Sequence, residues 1–136
     1  MYKLAISTSG EYVSAAIFDE KLLASFVSKT NRGSTGILLN QINELFDKTK
    51  ASRKDLSALY LDVGPGYYTG LRIGLSVSQG LGAVLGIPII PVNGLDALAF
   101  AAHTSHRKIC SLIDIKRSEF AYCEYMPVPG GVTRES

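Results

Sequence analysis

The spacing of hydrophobic side chains changes along this chain, and each change predicts a different element. Apolar and polar positions alternate in the first part of the chain, which is typical of strands with one buried face. The predicted strands cover residues 3–7, 12–18 and about 22–28. Apolar residues then recur at helical spacing through residues 35–49: Ile37, Leu38, Ile42, Leu45 and Phe46. The pattern therefore predicts an antiparallel meander followed by a helix.

The following elements alternate between strand and helix. A strand is predicted at residues 57–63, and a helix runs from about Gly70 to Leu85, with Gly86 or Pro88 ending it. The remaining predictions are a strand at residues 89–92, a helix from Asn93 or Gly94 through Ala102, strands at about 109–114 and 118–126, and a frayed or truncated tail after Tyr125. Hairpins combined with strand–helix–strand units predict an α/β fold with a mixed five-stranded sheet and flanking helices. This order resembles the ribonuclease H-like lobe of the actin-like ATPase fold, a likeness that carries no function by itself.

The segment GPGYYTGLRIG at residues 64–74 is more specific than an ordinary turn. Glycine-rich loops before helices often bind phosphate, because backbone N–H groups and the helix N-terminus attract anions. The Walker pattern requires Lys after its last glycine, where Leu71 stands here. The dinucleotide fingerprint requires two residues between its last two glycines, and three separate Gly66 from Gly70. Both phosphate-binding interpretations therefore fail on spacing.

A simpler interpretation of this motif loop is a tight connection from strand to helix. Pro65 presets φ for a turn, Gly66 can adopt a positive φ, and Thr69 is a suitable N-cap. This interpretation leaves the Tyr67-Tyr68 pair and Arg72 unexplained. The candidate loop residues are Gly64, Pro65, Gly66, Tyr67, Tyr68, Thr69, Gly70 and Arg72.

Small residues recur every four positions in the helix after the loop. They are Gly74, Ser78, Gly82 and Gly86, and apolar residues run beside them: Ile73, Val77, Leu81 and Leu85. A glycine inside a helix costs about 0.5–1 kcal/mol relative to alanine, so several of them indicate the close approach of another backbone. That backbone belongs either to the protein's own sheet or the 35–49 helix, or to a second protein chain.

Length, composition and charge limit the number of domains and the classes of function that this chain can have. The chain has 136 residues, enough for one domain or one domain and part of another, and 46% of them are hydrophobic. A net charge of +2 without a basic cluster gives little support for nucleic-acid binding by the chain alone. Cys110 and Cys123 lie in apolar runs and are expected to be free thiols, although pairing of the last two strands would make a disulfide geometrically possible.

No pattern typical of a signal peptide or a membrane span is present. Met1 leads directly into a short strand, and the longest apolar stretch, near residues 71–92, is interrupted by glycines, serines, Gln79 and Pro88. We therefore expect a cytoplasmic protein with no membrane partner.

The residues favour no enzyme chemistry. His103 and His106 are separated by two residues in a predicted loop and have no neighbouring ligand set, so surface histidines are expected. No G-x-S-x-G nucleophile pattern occurs. Asp62, beside the loop, is expected to accept backbone N–H groups. Catalytic residues, metal ligands and cofactors are therefore all predicted to be absent.

The motif GPGYYTGLRIG resembles the GPGSFTGLRIG signature of the bacterial TsaB family, also called YeaZ, with Tyr67 in place of Ser and Tyr68 in place of Phe. Four other segments are similar in the same order: residues 4–9 to LAIDTS, residues 38–45 to LLPxIxxLL with Asn40 in place of Pro, residues 93–99 to SLxALA, and residues 114–122 to DARxxEVY. The resemblance spans nearly the whole chain.

The resemblance implies a two-lobed actin-like fold. Residues 1–106 would form the first lobe, and residues 107–136 the opening strands of a second lobe that is naturally short or cut. It also implies a non-catalytic subunit that pairs with the TsaD-type catalytic subunit in threonylcarbamoyladenosine modification of tRNA, together with a TsaE-type ATPase. In isolation the chain would form a homodimer, and tRNA would be contacted only through the complex.

The same resemblance places the partner interface on the helices of the first lobe. The candidate interface residues are Leu38, Ile42, Leu45, Ile73, Gly74, Val77, Ser78, Leu81 and Gly82. Which of them face outward is left open by periodicity.

Two other functions compete with the scaffold. One is a degenerate actin-like enzyme that binds or hydrolyses nucleotide. It is disfavoured because Ser7 stands where actin-like ATPases place a Mg²⁺-binding Asp. In addition, Asp114 is followed by Ile115-Lys116-Arg117, whose side chains would block the close backbone approach to phosphate that glycines allow. The other is direct tRNA contact through basic residues: Lys29, Arg32, Arg53, Lys54 and Arg72.

Overall fold

The segments in which apolar and polar residues alternate form strands, and the segments with apolar residues at helical spacing form helices. A computed structural model describes residues 1–30, 34–104 and 106–135. Its elements in chain order are β1 (Tyr2–Ser7), β2 (Tyr12–Phe18), β3 (Leu22–Lys29), α1 (Ser34–Thr49), β4 (Leu56–Asp62), α2 (Tyr68–Leu85), β5 (Ile89–Val92), α3 (Gly94–Ala101), β6 (Ile109–Asp114), β7 (Phe120–Val128) and β8 (Gly131–Arg134). A 3₁₀ turn, Arg53–Asp55, precedes β4. Arg32, one of the basic residues considered for tRNA contact, lies outside the described residues.

The first five strands form one mixed sheet in the order β3-β2-β1-β4-β5. The predicted meander is confirmed, since β1 pairs antiparallel with β2, and β2 antiparallel with β3. Strand β4 returns to the other side of β1 and pairs parallel to it, and β5 extends the sheet in the same direction. Helices α1 and α2 make the crossovers that parallel pairing requires.

Both crossover helices cover the same face of this sheet. Helix α1 packs on β2 and β3, and α2 packs on β4, β1 and β5. The alternate residues Leu4 and Ile6 of β1 are buried beneath them, together with Leu59 and Leu61 of β4. The main hydrophobic core therefore lies between the sheet and these two helices.

The opposite face of the sheet is turned toward α3 and a second, three-stranded sheet in the order β6-β7-β8. Helix α3 packs against all three of these strands. A smaller core forms there from Leu95 and Ala99 of α3 and from Cys123 and Tyr125 of β7. The division into lobes at residue 106 stays a prediction.

Helix ends follow the predicted capping residues in two cases of three. Gly86 ends α2 with a φ of 65°, in the left-handed region that glycine adopts readily. The Asn93 side chain accepts hydrogen bonds from the backbone N–H groups of Leu95 and Asp96, which caps α3. The prediction of Thr69 as the N-cap of α2 is wrong: the helix begins at Tyr68, two residues before Gly70, and Tyr67 is an N-cap without a side-chain hydrogen bond.

The last part of the chain is more ordered than expected. Strand β7 continues to Val128, and a turn with a positive φ at Gly130 leads into β8. The expected frayed tail after Tyr125 is therefore wrong, because β8 pairs with β7 and satisfies its backbone groups.

Pairing of β6 with β7 also decides the state of the cysteines. Cys110 lies opposite Glu124, and Cys123 lies opposite Ser111. Cys110 is exposed and Cys123 is buried, so the two thiols point to opposite faces and do not form a disulfide with each other. Within the described residues, no helix is both long and apolar enough to cross a membrane.

Candidate functional site

The motif loop lies against the turn between β1 and β2. A Cβ atom on Gly66 would overlap the carbonyl oxygen of Ser9, and one on Gly70 would overlap the carbonyl oxygen of Thr8. A Cβ on Gly74 would meet the Thr8 hydroxyl in the same way. The glycine spacing of the motif therefore matches the points where loop and helix approach this turn most closely.

Hydrogen bonds hold the loop in this position. The Tyr67 N–H donates to the Ser9 carbonyl at 2.7 Å, and the Thr8 hydroxyl donates to the Gly70 carbonyl at 2.6 Å. The residue with positive φ in the loop is Gly64, at 92°, and not Gly66 as predicted. Gly66 is required instead because of its close contact with Ser9.

The Asp62 carboxylate joins the loop to the end of β1. Its Oδ2 accepts hydrogen bonds from the Ser7 and Ser9 hydroxyls at 2.7 and 2.6 Å. Its Oδ1 accepts the backbone N–H of Gly64 at 2.9 Å, as expected for a carboxylate at a strand end. A carboxylate thus lies beside Ser7, although the chain has no acidic residue at position 7 itself.

The aromatic residues of the loop contact cations. The Lys116 ammonium group, in the β6–β7 turn, lies 4.9 Å from the centre of the Tyr67 ring and 3.9 Å from Glu11. The Arg72 guanidinium lies 5.6 Å from the centre of the Tyr68 ring. Tyr68 is 73% exposed, so this second pair stands on the outer surface at the start of α2.

The structure places most of the candidate interface residues inside the fold. Seven are buried against the protein's own sheet and helices: Leu38, Ile42, Leu45, Gly74, Val77, Ser78 and Gly82. Ile73 and Leu81 are half-buried and pack against the same core. The small-residue ridge of α2 accordingly approaches this chain's own backbone and side chains, including Thr8 at Gly74 and Ile87 and Ile89 at Gly82.

A different set of residues forms the outward surface of the two helices. We call it the helix-pair surface and define it by the exposed apolar side chains Ile37 and Leu39 of α1 and Tyr68, Leu75 and Val84 of α2. Gly80 lies one turn before Val84, with no atom within 4 Å of where its Cβ would be. Helical periodicity predicted which residues share a face of each helix. Only the packing showed which face is buried and which faces solvent.

The histidines lie apart from this surface. The His103 ring stacks on Phe100 with 6.2 Å between ring centres, and His106 is exposed. Over residues 1–30, 34–104 and 106–135, no three His, Cys, Asp or Glu side chains come together in a group that could hold a metal ion.

Sequence patterns did not indicate a polar cluster that ties α3 to the second sheet. Asp96 Oδ1 accepts hydrogen bonds from the Tyr125 hydroxyl at 2.6 Å and from Arg134 Nε at 2.7 Å. Partial burial acts to raise the pKa of Asp96, but the hydrogen bonds from Arg134 and Tyr125 outweigh it and the pKa lies below its usual value. Burial, and then the bond to Asp96, raises the pKa of Tyr125.

A cavity of about 600 Å³ lies between the first sheet and α3. Its floor is formed by small side chains on the sheet face opposite α1 and α2, where Ala5 pairs with Ala16 and Ser7 with Ser14. Leu98 of α3 and Ile113 of β6 contribute to its walls, and Asp62 lines one end. The alternation of small residues in β1 and β2 was the sequence signal for this floor, but a small residue can equally lie against a covering layer.

Comparison with known proteins identifies the fold. The solved structure of YeaZ from Pseudomonas aeruginosa matches 99% of this chain and 64% of its own, with a TM-score of 0.89 and 28% identity. RuvC from Thermus thermophilus, solved with a Holliday junction substrate, matches 75% of this chain and 71% of its own, with a TM-score of 0.53 and 15% identity, a likeness of fold alone. The chain has the ribonuclease H-like, actin-like ATPase fold with its mixed five-stranded sheet and flanking helices.

Sequence comparison identifies the family. The family model for TsaD, tRNA N6-adenosine threonylcarbamoyltransferase, matches residues 23–132. The tRNA threonylcarbamoyladenosine biosynthesis protein TsaB of Buchnera aphidicola (subspecies Schizaphis graminum) is 30% identical over 125 residues, which are 90% of this chain and 60% of that protein. The chain thus spans about three fifths of the length of such relatives. It belongs to the TsaD family and, within it, to the TsaB (YeaZ) group.

Proposed function

We propose that this chain acts in threonylcarbamoyladenosine modification of tRNA as a non-catalytic scaffolding subunit that pairs with a TsaD-type catalytic subunit. The matching TsaB proteins of Buchnera aphidicola and Escherichia coli are named for threonylcarbamoyladenosine biosynthesis, and each match covers at least 90% of this chain. The pairing surface in this proposal is the helix-pair surface of α1 and α2.

The absence of catalysis is supported by the chemistry at the end of β1. Ser7 offers a hydroxyl where a Mg²⁺ site would need a carboxylate, and Mg²⁺ favours near-octahedral coordination by oxygen atoms. The neighbouring carboxylate, Asp62, already accepts three hydrogen bonds from within the chain. At the β6–β7 turn the Lys116 side chain occupies the space above the Tyr67 ring.

The observation that carries the scaffold proposal is the apolar character of the helix-pair surface. Val84 is 85% exposed, Tyr68 73% and Leu75 45%. With about 100° of rotation per residue, Tyr68 and Leu75 lie along one edge of the outward side of α2 and Val84 lies along its other edge. Exposed apolar side chains are common at protein–protein contacts, and Tyr and Arg are frequent at the centres of such contacts. The Tyr68–Arg72 pair supplies both residue types at the start of α2.

The proposal includes three further partners: a second copy of the chain, a TsaE-type ATPase and tRNA. An isologous contact between two copies of the helix-pair surface would give a homodimer in the absence of the catalytic subunit. A TsaE-type ATPase would join the assembled complex, and tRNA would be bound by that complex.

The test is size-exclusion chromatography with light scattering, on the chain alone and mixed with the TsaD-type subunit of its own organism. We expect a one-to-one complex that replaces a homodimer. Val84→Asp should weaken it at least about tenfold, because a carboxylate would be desolvated in the contact. The matched control is Leu112→Asp, an exposed apolar residue of β6 far from α1 and α2 in the fold.

Three results would count against the proposal. One is the absence of any complex with the unaltered chain. Another is equal weakening by Leu112→Asp and Val84→Asp, which would place the contact elsewhere or make it nonspecific. The third is saturable, Mg²⁺-dependent ATP binding by the isolated chain, which would instead support a nucleotide-binding enzyme.

A further inference from the structure

The cavity between the first sheet and α3 combines an apolar lining with one isolated charge. Among the described residues that line it, Asp62 is the only charged one. Most of the other lining residues are small or apolar, including Ala5, Ala16, Val92 and Leu98, and the polar ones are four serines and Tyr60. A volume of about 600 Å³ lies within the range of small-molecule sites, which are mostly apolar with a few fixed polar groups.

The hydrogen bonds of Asp62 determine what the polar end of the cavity can accept. The Ser7 and Ser9 hydroxyls donate to Oδ2 and the Gly64 N–H donates to Oδ1. An ionised carboxylate has about four acceptor positions, so one remains for a ligand. Both serine hydroxyls already donate their hydrogen bonds to Asp62, so neither is available as a donor to a phosphate or carboxylate ligand.

The charge balance favours a cation. Asp62 has no ion pair with any Lys, Arg or His in the part of the chain that the structure describes. Lys116, the cation of the nearby β6–β7 turn, contacts Glu11 and Tyr67 and does not line the cavity. An anionic ligand would place like charge next to Asp62, whereas an ammonium group would supply the missing opposite charge.

We propose that this cavity is a binding site for a small monocationic amine with an apolar body, whose ammonium group donates to Asp62 while the body lies on the Ala5–Ala16 floor. The site is independent of the helix-pair surface, because the two lie on opposite faces of the first sheet. Its occupation requires no nucleotide and no metal ion.

The test uses three indole ligands that differ in one group: tryptamine with an ammonium, tryptophol with a hydroxyl and indole-3-propionate with a carboxylate. The chain contains no tryptophan, so ligand indole fluorescence can be excited apart from protein tyrosine. We expect saturable binding of tryptamine at least about fivefold tighter than that of tryptophol, and still weaker binding of indole-3-propionate.

Two variants separate this site from nonspecific binding at exposed apolar surface. Ala16→Leu fills the floor and should abolish tryptamine binding, whereas the matched control Ala83→Leu, on the exposed side of α2, should bind as the unaltered chain does. Asp62→Asn should remove the preference for tryptamine over tryptophol, because it removes the charge but leaves the Ala5–Ala16 floor unchanged. Thermal unfolding of each variant checks that it is folded.

The proposal would be overturned by equal affinity for the three ligands, by the absence of saturable binding, or by unchanged binding in Ala16→Leu. If Asp62→Asn fails to fold, two measurements still test the proposed site. They are the ligand series on the unaltered chain and the comparison of Ala16→Leu with Ala83→Leu.

Discussion

The hydroxyl of Thr8 donates a 2.6 Å hydrogen bond to the carbonyl of Gly70, and the Thr8 carbonyl fills the space where a Cβ of Gly70 would stand. Two segments far apart in the chain thus meet backbone to backbone. This contact joins the β1–β2 turn to the first turn of α2, and it gives a physical reason for glycine at this point of the motif.

Replacing Gly70 tests that contact. We expect Gly70→Ala to lower the free energy of unfolding by about 1–3 kcal/mol, because the Thr8 backbone cannot move aside cheaply. Gly80→Ala is the matched control in the same helix, where a Cβ meets open space. It should raise stability by about 0.5–1 kcal/mol through helix propensity. Urea unfolding measures both, and equal effects of the two substitutions would contradict the close approach.

Gly82→Leu tests which side of α2 faces the core. A Cβ at this position would already lie 3.2 Å from Ile89 and 3.3 Å from the Ile87 carbonyl. A leucine side chain should therefore destabilise the monomer by about 1–3 kcal/mol or more. Ala83→Leu, one residue further and exposed, should change stability by no more than about 0.5 kcal/mol. Loss of pairing by a fully stable Gly82→Leu monomer would show instead that the ridge faces a partner.

The two thiols should differ sharply in reactivity. Cys110 is exposed and Cys123 is 5% exposed, so one thiol per chain should react rapidly with Ellman's reagent and the second only on unfolding. Cys110→Ser should remove the rapid phase. Finding no reactive thiol in the unfolded, unreduced protein would show a disulfide and contradict the β6–β7 register.

The Asp96 cluster predicts a pH dependence of stability. The pKa of Asp96 is lower in the folded chain than its ordinary value of 3.8, so its stabilising effect is present above that pH and is lost as the pH falls through the folded value. Both side chains of the Asp96–Arg134 pair are about half exposed, which limits its contribution to about 1 kcal/mol or less. We expect the difference in unfolding free energy between the unaltered chain and Asp96→Asn to shrink below pH 3.8.

The measurement is urea unfolding of both proteins across the acid range. Glu20→Gln, which changes an exposed carboxyl in the turn between β2 and β3, serves as a comparison for the general effect of acid. A difference for Asp96→Asn that stays constant with pH would mean that the Arg134 and Tyr125 bonds contribute nothing through ionisation.

Some features of the site were within reach of sequence reasoning and others were not. Asp62 was expected to accept a backbone N–H group, and it does so from Gly64. Its bonds to Ser7 and Ser9 could not be foreseen, because they join the ends of two strands that become neighbours only when β4 pairs parallel to β1.

By itself, the sequence determined the order of elements through β7, a short choice of residues for two helix ends that included Gly86 and Asn93, and the family resemblance carried by residues 64–74. These depend on short-range periodicity and local backbone preferences, which act within a few residues. Only the tertiary structure decided that Gly74 and Gly82 face the chain's own sheet, that Cys110 and Cys123 point apart, and that Ala5 and Ala16 form a cavity floor. Each of these depends on which distant segment packs against which face, and no local spacing encodes that choice.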